Sequence, residues 1–170
     1  MEGGLYEADL YAWSEQQAAA LRRLAVRRDV PNELDLPNIA EEIESLGRSE
    51  LHAAESFLRL ILTHVLLTWA DPESDAIRHW AAEIVTWHIE LKDRLTPAML
   101  DRLDLNRSWR HAIREADAKL AEFDRVSARL RLELASIVEP CPVSLTLLTA
   151  ESFDLPDAVA CVAEASGAPA

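Results

Sequence analysis

Glu50 and His64 interrupt an otherwise apolar helical stretch from Leu36 to Trp69, and Arg59 stands five residues before the histidine. These are the residues whose types could do chemistry. An imidazole on an apolar face can ligate a metal or move a proton, and His88 further along is placed in the same way. If the two histidine-bearing helices form an antiparallel hairpin turning near Pro72 to Ser74, His64 lies opposite Ala81 and His88 opposite Phe57. At the helical rise per residue, that leaves the rings roughly 10 Å apart along the axis, too far for one metal to bridge. No four ligands converge by spacing, so neither a metal nor a cofactor is expected. Each histidine then reads as a buried neutral group holding one hydrogen-bond partner.

The Arg59 and His64 spacing also matches helical ribonucleases of toxin and defence systems, which gives the enzyme alternative: a hydrolase or ribonuclease using His64 with Arg59 or a nearby carboxylate. A five-residue step sets the two side chains about 140° apart on a helix. Glu50 is four turns, roughly 21 Å, from His64, so the two need separate explanations. A buried carboxylate at Glu50 requires a cation or several donors, and Arg48, Arg94, Arg102 or a second subunit could supply one.

Four further residues are candidates for interaction. Asp9 and Trp13 stand one turn apart, as a helix-capping acid beside a core tryptophan or as a small binding surface. Glu42 lies on the flank of the stripe beside Leu46 and is placed to meet the first helix, while Glu41 and Glu44 project outward. Gly47 sits in mid-helix, where glycine costs about 1 kcal/mol against alanine, and its use there is to let another backbone come close.

The elements that must position these groups are helices. Ile39, Ile43, Leu46, Ala53, Phe57, Leu60 and Ile61 recur at three- and four-residue steps and mark the expected core stripe of the long central helix, Pro37 to Trp69. A first helix is expected over Tyr6 to Arg28, with Arg22, Arg23, Arg27 and Arg28 compensating its carbonyl end. A third, Asp75 to Leu95, would bury Ile77, Trp80, Ala81, Ile84, His88, Leu91 and Leu95. A fourth, Asp104 to Val138, has a heptad-like seam from Trp109 to Leu134. Ser144 caps a short helix over Leu145, Leu147 and Leu148. The expected architecture is all-α: an antiparallel bundle of four main helices plus a short C-terminal one, in a single domain over 1–157, with 158–170 a flexible Ala-rich tail.

Composition narrows the functions. The 170 residues carry a formal charge of −13, which repels phosphate backbones and anionic lipids. Nucleic acid is thus a disfavoured partner. Two cysteines, Cys141 and Cys161, are too few for a disulfide framework, and no secretory leader or membrane span is read, so a reducing cytoplasm is expected.

The segment Tyr6 to Trp13, then Leu34-Asp35-Leu36 with Ala40-Glu41-Glu42-Ile43-Glu44-Ser45-Leu46-Gly47-Arg48-Ser49-Glu50, then His64 to Trp69, Trp80 and Cys141-Pro142, resembles a bacterial family known only as domain of unknown function 29. Thr68 stands where that family usually has lysine. The resemblance spans Leu5 to about Asp157 and implies an all-helical fold with no established activity. From the residues themselves, the leading expectation is a small helical interaction or regulatory module, with a protein partner or a homo-oligomer. An exposed apolar stripe would favour that reading; a cavity gathering His64 and carboxylates would favour the enzyme.

Overall fold

Asp9 interrupts the helix that the apolar repeat predicts near the chain start. Its Oδ1 accepts from the Ala12 backbone N–H at 2.8 Å, which divides the segment into α1 (Leu5–Ala8) and α2 (Leu10–Ala25). An aspartate that satisfies an orphan amide N–H in this way starts a helix rather than continuing one. The computed structural model describes residues 4–27, 31, 33–122 and 140–167, and every regular element among them is a helix. After α2 come α3 (Leu36–Ala70), α4 (Ile77–Arg94), α5 (Pro97–Leu100), α6 (Leu105–Glu122), α7 (Leu145–Leu148) and α8 (Leu155–Ser166). The expected course of the fourth main helix beyond Glu122, and Arg28 at the end of the first, fall outside the described residues.

Contacts gather into two compact units, where the sequence suggested one domain: residues 1–54 with 94–103, and residues 55–93 with 104–170. The long helix α3 contributes residues to both. It is long and apolar enough in composition to cross a membrane, yet more than half of its most apolar window is buried within the chain.

In the first unit, the core face of α3 is not the one expected. Leu36, Ala40, Gly47 and Ala54 are buried, whereas Ile39 is 38% exposed and Leu46 43% exposed. Small residues took the inner face because α2 lies very close there. A Cβ added at Gly47 would collide with Ser14 Oγ and come within 3.2 Å of Ser14 Cβ and 3.4 Å of the Tyr11 ring. The close approach read from Gly47 is therefore present, and it rotates the apolar stripe outward. With Gly47 facing α2, Glu44 one turn earlier is also within reach of that helix. Arg22 of α2 bonds Glu44 and lies 3.7 Å from Glu41, and Arg48 completes the group at 2.7 Å from Glu41 and 3.1 Å from Glu44. Glu42, expected to meet the first helix, is exposed instead.

In the second unit, Leu58, Ile61, Leu62, Val65 and Leu66 of α3 are buried, as are Trp80, Ile84, His88 and Leu91 of α4 and Trp109, Ala112, Ala116 and Leu120 of α6. The expected α4 face is present at these four positions. The expected tail is not. Asp154 caps α8 by accepting from Asp157 N–H at 3.0 Å, and Gly167 ends it with φ of 70°, while Ala158, Val162 and Ala163 are buried. Pro156 sits in the first turn, where proline's missing N–H leaves no intrahelical bond unmade.

Candidate functional site

His64 is 3% exposed and held on every side. The helical repeat of α3 turns it toward α4, where Trp87 meets its ring edge-on at a centroid distance of 4.6 Å and Trp80 at 6.4 Å. Its Nδ1 lies 3.0 Å from the Leu60 carbonyl, and its Nε2 lies 3.3 Å from Glu83 Oε2. The other Glu83 oxygen is 3.5 Å from Nε2 of the exposed His79, so one carboxylate stands between two imidazoles. Both His64 nitrogens face acceptors, an arrangement that suits an imidazolium. Burial nonetheless pushes its pKa below the ordinary 6.5; the Leu60 carbonyl pulls the other way, the Lys119 charge adds to the lowering, and Glu83 and Glu115 do not reverse it.

Arg59 points elsewhere, pairing with Glu115 of α6 at 3.3 Å between Nε and Oε2. Glu50 pairs with Arg94 at 3.2 Å, in the first unit, and Arg94 is one of the cations expected for it. The three candidate catalytic groups thus have three different partners, two of them ion pairs and the third the contact of His64 with Glu83. His88 stands apart from His64, against the Phe153 ring at 5.7 Å, and burial lowers its pKa too, with the Lys92 charge adding to the effect.

Of the interaction candidates, three are engaged within the chain. Asp9 caps α2, and its second oxygen accepts from Ala98 N–H of α5 at 3.3 Å. Trp13 packs edge-on against Tyr6 at 4.8 Å. Gly47 faces Ser14. Only Glu42 of the four remains at the surface.

A cavity of about 560 Å³ opens in the second unit, lined by Asp71, Glu73, Ser74, Asp75, Ala76, Trp80 and Leu120. His64 does not line it, although Trp80 touches both. Among the described residues no three His, Cys, Asp or Glu side chains come together in a way that could hold a metal ion. Burial pushes the Cys141 thiol up to about 12, which disfavours the nucleophilic thiolate; its Sγ is directed at the Val143 carbonyl at 3.4 Å and its N–H donates to Asn106 Oδ1 at 2.9 Å.

Two comparisons bear on this arrangement. The model of the family described as domain of unknown function DUF29 matches residues 5–154. The chain belongs to the DUF29 family. An alpha-helical protein of unknown function from Rhodospirillum rubrum, known from a crystal structure, is 42% identical, with a TM-score of 0.81 over 94% of this chain and 98% of that one. No curated protein matches. The family and the helical fold are those that the sequence resemblance implied, and neither comparison assigns a reaction.

Glu83, Trp87 and Glu115 are the neighbours of His64 and Arg59 that sequence reasoning did not name, and Trp80 was expected to be buried but not against His64. The hairpin register placed Ala81 opposite His64. A search for charge within one turn of Ala81 would have found Glu83.

Proposed function

We propose that this DUF29 chain is a small cytoplasmic helical module that acts by binding a protein partner, not by turnover. One observation carries the reading. Each of the three candidate catalytic groups has its own carboxylate or guanidinium neighbour within the chain, His64 against Glu83, Arg59 on Glu115 and Glu50 on Arg94, while large apolar side chains stand at the surface. A nucleophile or general base needs free reach to a substrate atom, and a sealed imidazole has none.

The face of α3 formed by Ile39, Glu42, Ile43 and Leu46 fits such a role. These positions lie within about 60° of one line on the helix, and they place one carboxylate among aliphatic side chains. An apolar partner surface carrying a cation complements it, and the chain's charge of −13 favours a basic partner by steering. The same charge disfavours nucleic acid, so no shift of a labelled RNA is expected at physiological salt.

Site-specific photo-cross-linking in the source cells tests the reading. A photoreactive residue at Leu46 should give a discrete adduct, and the same residue at the polar, exposed His111 of α6 should give none. Equal labelling at both positions, or none at either, would overturn it.

A further inference from the structure

α4 is apolar on two sides. Its inner face buries Trp80, Ile84, His88 and Leu91, yet Val85 is 57% and Ile89 54% exposed on the opposite side, beside the exposed Ala82 and Thr86. Charged residues close this outer stripe at both ends, Arg78 before it and Asp93 after it. Both are exposed, and neither forms an ion pair among the described residues.

Their spacing is symmetric. About a dyad between Val85 and Thr86, residue 78 maps onto 93, 82 onto 89 and 85 onto 86. At 100° per residue, all six positions lie within about 50° of one line, with Arg78 and Asp93 roughly 22 Å apart along the axis. An antiparallel copy of the same helix laid along this line meets Ala82 with Ile89 and Val85 with Thr86, and faces Arg78 with Asp93 at both ends. Such an isologous contact uses each complementary pair twice. The flanking His79 and Lys92, which the same register brings toward each other, are held by carboxylates of their own chain, Glu83 and Glu151.

We infer that the outer face of α4 is a self-association surface on which two copies of this chain pair antiparallel, with Arg78 of each against Asp93 of the other. This rests on the reading of the chain as a binding module and adds, at α4, a second copy of the chain to the basic partner expected at α3. A single pair of 18-residue helices buries little area, so the dimer belongs to the weak class, with a Kd on the order of 50 µM.

Sedimentation equilibrium of the full chain from about 5 to about 500 µM, tenfold on each side of that Kd, reads it directly. The native chain should pass from monomer to dimer. Arg78→Asp and Asp93→Arg should each weaken pairing about tenfold, because two attractions become two repulsions. An equimolar mixture of these two variants should recover the native association, and so should the double swap within one chain. Ile89→Glu should be monomeric throughout. All three sites are exposed, and unchanged melting temperatures check the fold. A native chain that stays monomeric at the highest concentration overturns the inference, as does a mixture no better than its components. Sedimentation with phosphatidylcholine vesicles by an otherwise monomeric chain also overturns it, in favour of lipid. The Leu46 adduct is unaffected by any of these outcomes, so this inference can fail while the binding reading stands.

Discussion

An imidazole sealed between two indoles carries a pH dependence of definite sign. His64 and His88 both have pKa values lowered by burial, so across the interval from their folded values up to about 6.5 the unfolded chain binds more protons than the folded one. Stability is therefore full above pH 6.5 and falls as pH drops through that interval. Urea midpoints from pH 7.5 to 5 should fall steadily in the native chain and more shallowly in His64→Gln; identical slopes would mean that His64 is solvated. Truncation provides the companion test. His64→Ala opens space beneath Trp80 and Trp87 and strands the Leu60 contact, at a cost of about 2–3 kcal/mol. His79→Ala, on the exposed side of the same carboxylate, should stay within about 0.5 kcal/mol, both read as midpoint shifts at constant slope. Cys141, with its thiol near 12, should alkylate far more slowly than an ordinary cysteine at pH 8, and rapid modification in the folded chain would contradict its burial.

At the scale of elements, the contact of α2 with α3 turns on a missing Cβ. Gly47→Ala gains about 1 kcal/mol of helix propensity yet drives a methyl into Ser14, a clash costing about 1–3 kcal/mol. Net destabilisation is expected, and Ser14→Gly added to it should reverse the sign. A double-mutant cycle with no coupling between the two positions would show that the helices are not in contact there. This contact was legible in the sequence because a glycine in mid-helix has few other uses. The outward turn of Ile39 and Leu46 was not legible. A long helix with apolar residues on two flanks does not say which flank its neighbour covers, and here the smaller side chains won because they permit closer approach. The helix after Asp154 was misread for a related reason: proline both ends helices and begins them, and only the Asp154 cap separates the two cases. The His64 environment was half legible. Burial followed from the repeat, but the partner Glu83 depended on a hairpin register that the sequence specifies only to within a turn.

The molecule as a whole pairs a strongly acidic surface with apolar faces left open on α3 and α4, and its chemistry-bearing residues are consumed in holding the helices together. That division of labour is the core of the account, and affinity for the partner captured at Leu46 measures it most directly. Titrating the purified partner against the native chain, His64→Gln and Leu46→Asp separates the two roles. The account predicts that His64→Gln binds within about twofold of native, while Leu46→Asp loses at least about tenfold, the effect of placing a charge in an apolar contact. Loss of binding in His64→Gln, with Leu46→Asp unaffected, would contradict it.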